Sequence, residues 1–179
     1  MRRRELRLRG FDYSSAGLYY VTVCARAQAL VFGEVVDDEV HPSRVGAVAR
    51  ACLLEVAEHH AGAVVDSYVV MPNHVHVVLA TEGTPLGVIV GTFKAAVTRA
   101  TGNRQLWQRG YHDHVIRDEA DLTRVREYIA TNPIRWMHDP ENSARSPSGR
   151  HICRPYARSA TGACALQGKS IQRSVRFHT

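Results

Sequence analysis

Residues 64–80 read VVDSYVVMPNHVHVVLA, two β-rich runs that meet at Pro72-Asn73. A Pro-Asn pair between such runs marks a tight turn, so Val64–Met71 and His74–Ala80 read as neighbouring antiparallel strands. A further run, Leu18–Ala25 (LYYVTVCA), is β-rich and apolar on both faces, which predicts a central strand. Val31–Val36 reads as a short strand, followed by a turn at Asp37-Asp38-Glu39. Ser43 can cap a helix that carries Val45, Val48, Ala49, Cys52, Leu53 and Val56 at helical spacing. Thr84 and Pro85 read as the cap and first residue of a second helix, with Leu86, Ile89, Val90, Phe93 and Val97 on its apolar face. Gly102 can end that helix. Tyr111–Arg117 reads as a strand and Asp118–Thr131 as a helix with acidic residues in its first turn. With Val31–Val36 as an excursion, the order is β-α-β-β-α-β and then one more helix. This is the α+β, ferredoxin-like (split βαβ) pattern: one antiparallel sheet, helices on one face, and a C-terminal helix in addition. In that topology the first and third core strands are central, and the third carries His74 and His76.

A chain of 179 residues predicts one domain with appendages. Charge divides it into three parts. Residues 1–9 form a basic arm of net +4, the body 10–141 is net −5, and residues 142–179 carry +7 with no acidic residue. The tail is rich in Ser, Gly, Ala and Arg and has no apolar periodicity, so it reads as flexible or as folding on a partner. There are 21 Arg and 2 Lys, which suits phosphate recognition by the guanidinium fork. No apolar run approaches the ~20 residues of a membrane span, and the N-terminus lacks the apolar stretch of a secretory signal. Cys24, Cys52, Cys153 and Cys164 form no CxxC pair and read as reduced thiols of a cytoplasmic protein.

Three segments carry candidate chemistry. His74 and His76 are two apart on a strand, so both side chains leave one face, with Cα atoms about 6.6 Å apart. Two imidazoles so placed can reach one metal ion. H-x-H spacing alone is weak, and His112 and His114 repeat it. On the last helix Leu122, Val125 and Ile129 form the core stripe, with Tyr128 and Asn132 four apart on its flank. Tyr128 is there for packing or for chemistry, and Asn132, just before Pro133, sits where the helix must end or kink. In residues 106–117, Trp107, Arg109, Tyr111 and His112 interleave aromatic rings with donors, as a strand or as a surface that stacks bases and holds phosphates.

A metal, a His pair and a Tyr together allow one reaction. The metal polarises a phosphate, the tyrosine hydroxyl attacks phosphorus, and a 3′-OH later attacks the resulting phosphotyrosine. With a pKa near 10, only about one tyrosine in a thousand is ionised at neutral pH, so metal and arginine must assist. Two histidines are too few ligands, and Asn132 is a candidate third. Imidazole with oxygen ligands suits Mn²⁺, and Mg²⁺ less naturally.

The blocks GFDYSSAGLYYVTVCA (10–25), VFGEV (31–35), VVMPNHVHVVL (69–79), GTFKAAVTR (91–99), WQRGYHDHVIR (107–117) and REYIATNPIRW (126–136) resemble the single-tyrosine HUH transposases, and most closely their REP-associated tyrosine transposase branch. The resemblance implies an enzyme that nicks and rejoins single-stranded or hairpin DNA through a 5′-phosphotyrosine, with a divalent Mg²⁺ or Mn²⁺ ion. It implies His74 and His76 as metal ligands, Tyr128 as nucleophile, and Asn132 as a third ligand where the wider superfamily often has Gln. Lys94, Arg109 and Arg126 lie in shared blocks and are candidate DNA contacts, as are Arg2, Arg3 and Arg4 of the arm. The implied setting is the bacterial cytoplasm, at the nucleoid, with no membrane partner and a second copy of the chain as a candidate partner. Three alternatives stand beside this: an inactive DNA-binding protein on the same fold, a His-dependent nucleotide hydrolase, and a non-enzymatic interaction module. The hydrolase needs a third alternating His, and positions 72 and 78 are Pro and Val.

Overall fold

In the computed structural model the described residues are 16–138. They lie inside the body inferred from charge. The arm, with Arg2, Arg3 and Arg4, and the tail lie outside the described residues.

Four strands form the main sheet: β1 (Gly17–Cys24), β4 (Ala63–Val70), β5 (His74–Thr81) and β6 (His112–Ile116), in the order β4-β5-β1-β6 and antiparallel throughout. The first and third core strands are central, as the ferredoxin-like reading requires. β5 pairs β1 from His74↔Cys24 to Thr81↔Gly17, and β6 pairs β1 from Thr22↔His112 to Leu18↔Ile116. β4 carries a register shift between Val65 and Ser67, a bulge at Asp66.

The sheet buries both faces, and alternation divides the side chains between them. One face takes Tyr19, Val21 and Val23 of β1 with Val75, Val77 and Leu79 of β5. Against it pack α1 (Arg44–Leu54), through Ala49 and Leu53, and α3 (Leu86–Thr101), through Leu86, Ile89, Val90, Phe93 and Val97. Tyr20, Val78 and Ile116 face the other way and meet Leu122, Val125 and Ile129 of α4 (Glu119–Arg135). Two helices thus share one face, and the C-terminal helix covers the other.

The caps explain where the helices start. Ser43 Oγ accepts from the Gly46 N–H, as its sequence position suggested. Gly46 is there for space as well: a Cβ would stand 1.9 Å from the Phe32 carbonyl oxygen. Asp118 caps α4 by accepting from the Asp121 N–H. Gly102, at φ 70°, ends α3 in the left-handed conformation.

Five expectations change. Glu39 does not belong to the turn but begins β3 (Glu39–Pro42), which pairs β2 (Gly33–Val36). Asp37 and Asp38 alone turn the hairpin, at φ 50° and 63°. Pro85, not Thr84, precedes α3 directly, because the Thr84 carbonyl is held by the Thr81 hydroxyl. The first helix breaks at Glu55, with a short α2 (Val56–His59) beyond it. α4 runs through Pro133 to Arg135 and passes into a 3-10 turn at Trp136–His138. An internal proline costs about 3 kcal/mol, and burial of Trp136 beside His74 offsets it. Cys52 is a free thiol, as expected, whereas Cys24 is disulfide-bonded, against the reading of four reduced thiols.

Candidate active site

β5 leaves the Pro72-Asn73 turn with His74 and His76 on the face that α4 covers. Both are fully buried, and their rings lie 4.3 Å apart between centroids. Burial pushes the His74 pKa down to about 3 and holds that of His76 well below its usual value, the latter aided by His74. Both imidazoles are therefore neutral, the state in which a ring nitrogen can donate a lone pair to a cation.

Each ring is fixed through Nδ1. The Asn73 side-chain oxygen lies 2.7 Å from His74 Nδ1, so that nitrogen carries the proton and donates it. Tyr20 Oη and Thr22 Oγ1 lie 2.7 and 2.9 Å from His76 Nδ1. These partners come from the turn and from β1, which pairs β5 at Thr22↔His76.

α4 brings the other candidates over the pair. The Tyr128 ring meets that of His76 edge-on at 5.4 Å, and the Trp136 ring lies 6.1 Å from that of His74. Positions 128, 132 and 136 are one turn apart on one helix face. Asn132 thus falls between the two aromatic contacts, and it is fully buried. No protein group hydrogen-bonds its Oδ1 or Nδ2, and His76 Nε2 is likewise unmet. Buried polar atoms are rarely left so without a reason. A divalent cation fits these atoms: two imidazole nitrogens and an amide oxygen are neutral donors, leaving coordination positions and the full charge for an anionic substrate. Among the described residues no group of three His, Cys, Asp or Glu side chains is placed to hold a metal.

Most of the remaining candidates have structural duties. Lys94 Nζ donates to the carbonyls of Gln108 and Gly110, and its pKa is lowered by burial. Trp107 packs against Phe32 and Phe93 and donates to the Lys94 carbonyl, so this indole is core and not a base-stacking surface. Arg126 grips the bulged Asp66 through two nitrogens and tethers α4 to β4. Arg109 is exposed. His114 donates to the buried Asp121, and His112 lies buried on the same face, paired with Thr22 across β6 and β1. Burial would raise the Asp121 pKa, but the His114 bond and Arg124 together lower it.

Sequence reasoning missed Asn73, Tyr20, Thr22 and Trp136. For Tyr20 and Thr22 a signal existed, since polar groups at alternate positions of an apolar central strand share a buried face. Which histidine they meet depends on strand register, which no local pattern carries.

No protein-family model matches the chain. An uncharacterized protein of Haemophilus influenzae is 31% identical over 164 residues, covering 76% of this chain and 91% of that one. A second protein of Haemophilus influenzae, named "Putative REP-associated tyrosine transposase", is 25% identical over 140 residues, covering 69% of this chain and 74% of that one. A solved REP-associated tyrosine transposase, bound to a REP hairpin, shares the fold with a TM-score of 0.59 at 21% identity, covering 72% of this chain and 73% of that one.

The chain resembles the REP-associated tyrosine transposases in sequence and shares the fold of one of them. The family resemblance of the six sequence blocks and the fold agree. The histidine-bearing face and the tyrosine-bearing helix of this chain are brought together by strand and helix packing, not by nearness in the chain. Among the described residues no helix is long and apolar enough to cross a membrane.

Proposed function

We propose that this protein is a transposase that nicks and rejoins single-stranded DNA at hairpin repeats through Tyr128. The observation that carries the reading is the tyrosine ring 5.4 Å from that of His76, on the helix that also buries the unmet Asn132 amide. His74, His76 and Asn132 would hold the divalent cation, which when bound supplies positive charge to the phosphate under attack. Mn²⁺ suits the donor set better than Mg²⁺.

Tyr128 is half-buried at the end of the aromatic contacts, so its backbone is fixed and its ring has one side on His76. Its hydroxyl oxygen attacks phosphorus. The Tyr128 O–P bond forms, the P–O3′ bond breaks, and the phenolic proton ends on the departing 3′-oxygen. The products are a 5′-phosphotyrosine and a free 3′-OH. Attack by a 3′-OH reverses the step and reseals a strand. One ester replaces another each time, so no nucleotide cofactor is consumed.

The hairpin bound by the solved family member supports a folded single strand as substrate. Exposed Arg109 is a candidate phosphate contact, as are Arg2, Arg3 and Arg4. Lys94 and Arg126 would contact DNA only through N–H groups beyond those already engaged. A homodimer and a nucleoid location belong to the same proposal.

The test is adduct formation. Full-length protein is incubated with Mn²⁺ or Mg²⁺ and the hairpin repeats flanking its own gene, then resolved under denaturing conditions. A covalent protein–DNA band is expected for the natural sequence and not for Tyr128→Phe, which keeps the ring packing. A normal yield of adduct from the Phe variant, or in EDTA, would refute the assignment.

A further inference from the structure

His76 is the one histidine of the pair whose Nδ1 meets two hydroxyl groups, and both come from β1. Tyr20 Oη stands at 2.7 Å and Thr22 Oγ1 at 2.9 Å, and all three residues are buried. A hydroxyl can donate or accept, so the pair by itself permits either tautomer of a neutral imidazole. The opposite nitrogen decides between them. Nε2 lies across the ring from Nδ1, and no protein group hydrogen-bonds it. If Nε2 carried the proton, a buried N–H donor would have no acceptor. If Nδ1 carries it, the proton goes to a hydroxyl and Nε2 is left with a lone pair. The second arrangement avoids the penalty of an unmet buried donor.

We propose that Tyr20, together with Thr22, is a positioning pair that holds His76 as the Nδ1–H tautomer and turns its Nε2 lone pair toward the space under α4. This rests on the metal reading above and adds to it the reason that His76 is ready for a cation before one arrives. Metal-ligating histidines commonly donate their second N–H to a carboxylate, a carbonyl or water. Here the acceptor is a neutral hydroxyl pair, which orients the ring without adding negative charge to a face that must admit DNA phosphate. Tyr20 also meets the Tyr128 ring edge-on at 6.2 Å, so the same side chain supports both His76 and the nucleophile's ring.

The deciding experiment uses full-length, ¹⁵N-histidine-labelled protein in EDTA. Long-range proton–nitrogen correlation reports directly which His76 nitrogen is protonated. The expected spectrum shows Nδ1 protonated in the natural sequence. In Tyr20→Phe/Thr22→Val, which retains shape and removes both hydroxyls, His76 should shift toward the Nε2–H form. Mn²⁺ affinity, read by electron paramagnetic resonance, should then fall about tenfold or more, and Thr22→Ser in the Tyr20→Phe background should recover part of it. An Nε2–H spectrum in the natural sequence overturns the inference without any variant, even should the double variant fail to fold. Unchanged tautomer and unchanged Mn²⁺ affinity in a folded double variant overturn it as well. Failure of the natural protein to bind Mn²⁺ would instead overturn the metal reading, while the Nδ1–H spectrum would still uphold the positioning role.

Discussion

Asn132→Leu should make the metal-free protein more stable and the metal-dependent one inactive. The substitution exchanges a buried amide for a side chain of similar size without polar atoms. Both amide atoms are out of solvent with no protein partner. One unmet buried polar group costs about 1–3 kcal/mol, so removing two atoms of one amide should return about 2 kcal/mol. Leucine also has the better helix propensity, by a few tenths of a kcal/mol. For a domain of this size 1 kcal/mol moves the melting temperature by about 4 °C. The variant should therefore melt roughly 8 °C above the natural sequence in EDTA. Mn²⁺ should reverse the order. A ligand at a hundred times its Kd adds about 2.7 kcal/mol to a protein that binds it, and the variant lacks one of its three ligands. The assay is thermal unfolding of both proteins with EDTA and across an Mn²⁺ titration. A variant that melts lower in EDTA would mean that the amide is satisfied in the folded protein. An equal Mn²⁺ shift in both would mean that Asn132 is not a ligand.

Three further outcomes are expected. Gly46→Ala should cost about 1–3 kcal/mol despite its helix propensity, because its Cβ would stand 1.9 Å from the Phe32 carbonyl oxygen; a urea midpoint at or above that of the natural sequence would contradict this. The folded-state pKa of Asp121 is depressed through His114 and Arg124, so its stabilisation is present above the ordinary carboxylate range of about 4 and is lost as pH falls through the folded value. Urea midpoints of Asp121→Asn should hence decline less steeply than those of the natural sequence below about pH 4. Deleting residues 143–179 removes seven cations, and each one that touches phosphate on a single strand should take about 0.7 from the salt slope of binding; an unchanged slope would retire the tail as a DNA arm.

Much of the fold was legible because its information is local. Ser43 and Asp118 announce helix starts through their own side chains, Gly102 an end, and Pro72-Asn73 the turn that pairs β4 with β5. The double-faced apolar run of β1 marks a strand buried on both sides. Pro133 was the instructive failure. Read locally it ends a helix, but Trp136 beyond it is buried beside His74, and that packing carries α4 through the proline.

The sequence by itself determined which residue types were available and which shared a face: His74 with His76 by the period of a strand, Tyr128 with Asn132 by the turn of a helix. Those periods are properties of the backbone and need no knowledge of the rest of the chain. Only the tertiary structure decided that the two faces meet. It also set the register that places Tyr20 and Thr22 at His76, committed Lys94, Trp107 and Arg126 to holding elements together, and left Arg109 exposed. Contacts between residues about fifty to sixty positions apart depend on how whole elements pack, and packing is settled by the burial of both sheet faces at once.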